Sequence, residues 1–248
     1  MHRFYIRPEK WNLDTLVITD SEAHHCRDVL RLGSGDKVVL FNGQGGEITA
    51  EIVSADTAGV RLRRLHGAET PPLRCRITLG QAIPKGKNMD LIVQKAVEIG
   101  AAEIVPILSD RTVVRLDEES AASKRDKWQS VAIEAAKQSG QNWLPEVRMP
   151  QPLPHFFQSN RRFDLQLIGS LQSDAVHLKK ILEEFSAGNG DRPTSVLMLV
   201  GPEGDFTPAE LSLARSQGCR PITLGPIVLR VETASIYCLS ILSYELLV

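Results

Sequence analysis

The chain has 248 residues, 42% of them hydrophobic and 24% charged, with a formal net charge of −1 at pH 7. That length buries a sizeable core in one or two domains, and the composition excludes a disordered or fibrous chain. The charge balance gives no global attraction for nucleic acid, no apolar run nears the roughly 20 residues of a membrane span, and the 4 cysteines (Cys26, Cys75, Cys219, Cys238) form neither a CxxC pair nor a metal-ligand spacing.

The opening stretch, MHRFYIRPEKW, lacks the apolar segment of a signal peptide, so a cytoplasmic location is expected. Residues 1–70 alternate apolar and polar positions in LDTLVIT (13–19), KVVLFNG (37–43), GEITAEIV (46–53) and GVRLRRL (59–65), with turn signals between them. One helical stretch, SEAHHCRDVLRL (21–32), interrupts, with Ser21 as its expected N-cap. This reads as a small β-barrel with one inserted helix, and Pro71-Pro72 marks a linker. From Arg74 the period changes. A strand at 75–83, a helix at 88–101 closed by Gly100, a strand at 103–108 and a long helix near 118–140 closed by Gly140 follow in order. Three further apolar runs (LQLIGS, VLMLVG, PITLG) then alternate with helices at 174–186 and 207–217. Strands and helices in this alternation predict a parallel sheet covered on both faces. The last helix, 232–247, is apolar on most sides and is expected to be buried against the sheet or a second subunit.

The three late strands all finish in glycine: Gly169, Gly201 and Gly225, the last two followed by Pro202 and Pro226. Ligands of an open parallel sheet sit outside the carboxyl ends of its strands, and glycine there lets main chain approach a ligand with no Cβ between them. Three such ends predict a pocket walled by backbone. Behind the second, Thr207, Pro208 and Glu210 have the spacing of an N-cap, an N1 proline and a capping-box glutamate. No GxGxxG follows a strand and no GxxxxGK[ST], HExxH or GxSxG occurs, so a dinucleotide site, a P-loop, a zincin and a nucleophile elbow are not indicated. The second distinctive stretch, TLGPIVLRVETASIYCLSIL (223–242), sets Arg230 and Glu232 between a glycine loop and a buried helix, which is a position for functional polar groups.

LVGPEGDFTPAE (199–210) together with LGPIVLRVETA (224–234) resembles the paired signatures of the SPOUT methyltransferases, and specifically the bacterial 16S ribosomal RNA uracil-N3 methyltransferases of the RsmE type. HHCRDVLRLGSGD (24–36), KNMDLIVQKAVEIGAAEIVPILSDRTV (87–113) and IEAAKQSGQNWLPEV (133–147) resemble other segments of that family in the same order. Where the family usually carries arginine, threonine, glycine and arginine, this chain has Ile227, Val231, Asp205 and Gln141.

The resemblance implies a PUA-like β-barrel domain for RNA binding at 1–72 and, at 73–248, an α/β domain whose C-terminal strands and helix form a trefoil knot. It implies S-adenosylmethionine as cofactor, a homodimer formed through the knot helices, and 16S ribosomal RNA or the small ribosomal subunit as partner. The implied cofactor residues are Leu167, Gly169, Val200, Gly201, Pro202, Glu203, Gly204, Leu224, Gly225, Val228, Leu229, Thr233 and Ala234. Methylation of uracil N3 needs a cation for the charge that spreads onto O2 and O4 and an acceptor for the imide proton; Arg230 is the candidate for the first role and Glu232 for the second. RNA-binding candidates are His24, Arg27 and Arg31 (read as one helical face at i, i+4), Arg61 and Arg63 on one face of a strand, and Lys95 and Arg111, which with Glu98 are expected near the pocket. Methylation of another RNA base or of a ribose 2′-oxygen, and a non-catalytic RNA-binding role, stay open.

Overall fold

A computed structural model of the chain describes residues 1–114, 116–159 and 161–247. They form two compact units: Met1–Pro72 with Ile133–Leu144, and Leu73–Ala132 with the chain from Pro145 onward.

The first unit contains β1 (His2–Tyr5), β2 (Val17–Ile18), α1 (Asp20–His24), β3 (Lys37–Phe41), β4 (Gly46–Asp56) and β5 (Gly59–Glu69). Its 5-stranded sheet runs in the order β1-β3-β4-β5-β2, with β1 and β3 parallel and the other pairs antiparallel. Phe4 of β1 and Ile18 of β2 stand at opposite edges of that order yet share one buried cluster with Leu40 and Ile52. Four strand spacings of about 4.8 Å would hold the edges of a flat sheet about 19 Å apart, so the sheet is rolled around its core. Register shifts at Thr49/Ala50 and Ile52/Ser54 supply the bends.

The helix expected over 21–32 is cut short. It starts at Asp20 behind Thr19, not behind Ser21, and over His25–Val29 it widens to a π-turn in which Leu30 N donates to His25 O at 2.9 Å. Leu30 and Leu32 both pack on the core, which regular helical spacing does not permit for residues two apart. Arg31 then takes φ 55°, so Arg27 and Arg31 do not share a helical face. Residues 133–144, which the sequence reading places in the second domain, join this first unit. Their polar groups are bonded here: Lys137 Nζ to Glu22 (3.1 Å), Asn142 Nδ2 to Thr70 Oγ1 (2.9 Å) and Trp143 Nε1 to Thr70 O (2.8 Å).

The second unit is built from β6 (Arg76–Ala82), α2 (Asn88–Ile99), β7 (Glu103–Leu108), part of α3 (Glu118–Ser139), β8 (Glu146–Val147), β9 (Gln151–Pro152), α4 (Leu153–Gln158), β10 (Leu165–Gly169), β11 (Val176–His177), α5 (Leu178–Asn189), β12 (Ser195–Val200), α6 (Pro208–Ser216), β13 (Arg220–Thr223) and α7 (Val231–Leu246). The two-residue strands β8, β9 and β11 are too short to leave a period in the sequence. The helix expected from 174 begins at Leu178, because His177 acts as its N-cap, with Nδ1 accepting from Lys179 N at 3.3 Å. Every pairing in the 8-stranded sheet is parallel, in the order β11-β13-β10-β12-β6-β7-β8, with β9 beside β7. At its centre Gly80 of β6 lies opposite Leu199 of β12, and a Cβ at position 80 would stand 2.4 Å from Leu199 Cδ2. A larger residue fits there only if the Leu199 side chain gives way.

The amino ends of these strands are tied together by charged groups. Glu103, 1% exposed at the start of β7, accepts from Arg148 Nε (2.6 Å), Thr78 Oγ1 (3.1 Å) and Arg161 Nη2. Burial pushes its carboxyl up, but the hydrogen bonds from Arg161 and Arg148 outweigh that and hold it below the usual carboxylate range. Asp164, just before β10, accepts from Thr194 Oγ1 (2.7 Å), Thr194 N (2.8 Å) and Ser195 N (3.0 Å) at the entry to β12.

Candidate active site

At the carboxyl ends the same sheet has a cavity. The loops that follow β10, β12 and β13, three neighbouring strands, enclose with the start of α7 a volume of about 660 Å³. That is within the range of about 300–1,000 Å³ typical of small-molecule sites.

Each loop is fixed by a local device. In the loop after β12, Asp205 N donates to Pro202 O (2.9 Å) and Asp205 sits at φ 61°, which explains why a glycine suits this position. Here the carboxylate offsets the strain: it accepts from Phe206 N (2.8 Å) and reaches Leu171 N (3.4 Å) in the loop after β10. A Cβ on Gly201 would come within 3.2 Å of Phe206 N and of that carboxylate. Behind the loop the capping box forms as expected, with Thr207 accepting from Glu210 N (3.2 Å) and Glu210 accepting from Thr207 N (2.8 Å). The buried Glu210 also accepts from Asp110 N (3.0 Å) and Ser109 Oγ (3.1 Å), which fastens α6 to the loop after β7. Gly225 turns at φ 110°, a conformation that L side chains rarely adopt. The start of α7 is held to β6 by buried Ser235, whose hydroxyl bonds Gln81 Oε1 and Val231 O.

Of the cofactor residues expected from the sequence, Gly169, Val200, Gly201, Pro202, Glu203, Leu224, Gly225, Val228, Leu229 and Ala234 line this cavity, as do Arg230 and Glu232. Leu167 lies inside the sheet and Thr233 on the exposed side of α7; neither is in the lining. Gly204 lines a second cavity of about 480 Å³, where Arg111 Nη1 donates to its carbonyl. The two cavities share Leu171, Gln172 and Asp205. Asn88, Ser170–Gln172 and Cys238 also line the first cavity and were missed from sequence. The signal for 170–172 was present, since those residues simply continue the glycine-ended strand. Asn88 opens α2 and left no such sign. Cys238 is fully buried, and burial pushes its thiol up to about 12.

The cavity is acidic. Glu203, Asp205 and Glu232 face one cation, Arg230, which leaves two net negative charges on the lining. Two of the carboxylates are held by the turn after β6: Glu203 Oε1 accepts from Lys85 N (2.9 Å) and Glu232 Oε2 from Asn88 Nδ2 (3.1 Å). Arg230 is exposed at the N-cap of α7.

The remaining RNA-binding candidates are mostly bonded to protein groups. His24 and Arg27 share Asp28 (both 2.6 Å), Arg61 bonds Ser54 (3.0 Å), Arg63 pairs with Glu51 (3.0 Å) and Lys95 with Glu98 (2.7 Å). Arg31 is exposed, and Lys95 and Glu98 are not part of the cavity lining. No described helix is long and apolar enough to cross a membrane.

Comparison with known proteins gives the family to which this architecture belongs. Residues 71–243 match the family model of an RNA methyltransferase domain, and residues 18–63 that of an RNA methyltransferase PUA domain. The class is thus that of RNA methyltransferases with a PUA-like N-terminal domain. A ribosomal RNA small subunit methyltransferase E of Bacillus subtilis is 32% identical over 253 residues, covering 99% of this chain and 97% of that protein. Among solved structures, a ribosomal RNA small subunit methyltransferase E from Neisseria gonorrhoeae bound to S-adenosyl methionine is 30% identical, with a TM-score of 0.86 over 99% of this chain and 98% of that one. A methyltransferase from Legionella pneumophila in complex with the bound cofactor SAM is 33% identical, with the same TM-score of 0.86 over 98% and 97%. The chain belongs to the ribosomal RNA small subunit methyltransferase E family.

Proposed function

We propose that the protein transfers a methyl group from S-adenosylmethionine to N3 of a uridine in 16S ribosomal RNA of the small subunit, in the cytoplasm. The observation that carries this reading is the cavity itself: three glycine-rich loops put main chain, not bulky side chains, around it. Its charge fits as well, because two net negative charges suit a ligand whose sulfonium and ammonium outweigh its one carboxylate. Bound there, the cofactor supplies a methyl group on a positively charged sulfur.

The chain's own residues do the rest. Arg230, at the rim, stabilises negative charge on the uracil O2 and O4 as N3 becomes nucleophilic. Glu232 receives the N3 proton, and Asn88 holds its carboxylate by one oxygen. The PUA-like unit at 1–72 positions the RNA through His24, Arg27, Arg31, Arg61 and Arg63, and Lys95 and Arg111 assist from the methyltransferase unit. Phosphate contacts of this kind place the strand and do not read its sequence.

Two finer features belong to the same reading. The segment between β13 and α7 passes the carboxyl ends of β10 and β12, and α7 then packs against α2, β12 and β6, a route that suits a trefoil knot. The outer face of α7 carries exposed Tyr237 and Tyr244, and the loop before α7 carries exposed Ile227 and Val228, which suits a homodimer contact.

Calorimetry with S-adenosylmethionine tests the pocket, and absence of binding at millimolar cofactor refutes it. Mass spectrometry of small-subunit ribosomal RNA from a deletion strain tests the product: one uridine should lose its N3-methyl group. Loss of a different methyl group instead identifies another base or the ribose as the target.

A further inference from the structure

The acidic cavity creates a difficulty for an RNA strand. A polyanion that brings one nucleotide to this mouth meets Glu203, Asp205 and Glu232 against the guanidinium of Arg230, and the next cation, Arg111, is already engaged on the Gly204 carbonyl. At physiological salt, charges beyond about 8 Å are screened, so cations far from the mouth do little to compensate. The offsetting charge has to stand at the rim.

We propose that the turn Lys85–Gly86–Lys87, between β6 and α2, is a phosphate clamp for the RNA strand flanking the methylated nucleotide. The proposal rests on the methyltransferase reading above for its substrate. Its own support is geometric. The turn is bonded to the rim at two points, by Lys85 N to Glu203 and, one residue past Lys87, by Asn88 to Glu232. Both lysines are exposed, and Gly86 turns at φ 69° with nothing within 4 Å of where its Cβ would be, so the space before them is open. Among the described residues neither lysine side chain has an ion pair or hydrogen bond, whereas Arg27, Arg63 and Lys95 are each paired with a carboxylate. A lysine ammonium on a flexible stem is a point charge, suited to phosphate oxygens and not to the edge of a base. The single backbone hydrogen bond to Glu203 further holds the clamp in register with the loop after β12.

The test is the double variant Lys85→Ala/Lys87→Ala, with binding to transcribed small-subunit ribosomal RNA measured without cofactor between about 50 and 200 mM salt. The expected result is about a tenfold or greater loss of RNA affinity at the lower salt and a salt slope shallower by about 1–2. S-adenosylmethionine affinity should stay at the wild-type value, and Lys85→Arg/Lys87→Arg should restore RNA binding. Wild-type RNA affinity and slope in the alanine variant overturn the clamp, as does the absence of salt-dependent RNA binding by the unaltered chain. An equal loss of cofactor affinity also overturns it and places the lysines on the cofactor's carboxylate. An unaltered chain that binds RNA but no S-adenosylmethionine refutes the methylation reading alone.

Discussion

The two ends of the eight-stranded sheet are built on opposite plans. At the amino ends, polar side chains are spent on one another: Glu103 is saturated by Arg148, Arg161 and Thr78, and Asp164 by the backbone and hydroxyl of Thr194. At the carboxyl ends, main-chain loops surround the cavity, apolar Ile227 and Val228 are each 74% exposed, and Arg230 projects from a cap. One end holds the strands together and the other leaves its groups available to a ligand. The difference teaches where damage should fall: changes at the amino ends should cost stability, and changes at the carboxyl ends should cost activity in a protein that stays folded.

The largest effect is expected at the open end. Arg230→Ala should slow methyl transfer by about 10²–10³-fold, the usual loss for one charge-stabilising donor. Cofactor affinity, by calorimetry, should move by less than a factor of three or so. Wild-type turnover in that variant removes Arg230 from the mechanism. The closed end should respond in the other currency. Glu103→Gln should cost about 2–3 kcal/mol in denaturant unfolding, below the range of about 3–5 for breaking a fully buried pair because both arginines retain some access to water. Its folded carboxyl titrates below its unfolded one, so its contribution is full above about pH 5 and fades as pH falls. The stability gap between wild type and variant should therefore narrow below about pH 4.5, and a gap that widens there contradicts the assignment.

Two smaller changes sharpen the boundary between the plans. Gly225→Ala asks a residue with a Cβ to hold φ 110°, at a cost of about 1–2 kcal/mol, and the loop can relieve it only by giving up its shape. Calorimetry should show cofactor binding weakened by roughly tenfold, with the melting temperature nearly unchanged. Thr207→Ala removes one acceptor of the capping box and should lower stability by about 1 kcal/mol, with turnover preserved.

The site was more legible in the sequence than its supports were. Glycine at three strand ends, and proline and threonine ahead of α6, are local signals, and residues such as Gly201, Gly225 and Thr207 express them directly. Leu167 and Thr233 have the right neighbours in sequence but point away, because a strand alternates its faces and a helix turns 100° per residue. Asn88 and Lys85 depend on contacts more than a hundred residues away in the chain, at Glu232 and Glu203, and no window along the sequence contains both partners. The same holds for residues 133–144, whose helical period was evident but whose attachment to Glu22, Glu47 and Thr70 was not. In the first unit, alternation located the long strands, while the π-turn at His25–Val29 and the left-handed Arg31 that follows it left no period in the sequence.

The contact between Gly80 and Leu199 has a bearing on how this protein varies over time. Neither residue lines the cavity, yet the space for a methyl group at one is already occupied by a branch of the other. Among descendants of a common ancestor the pair should therefore drift as a unit, with alanine at 80 accompanied by a smaller residue at 199. A chain that acquired only the first change would have to move the Leu199 side chain within a closely packed sheet face.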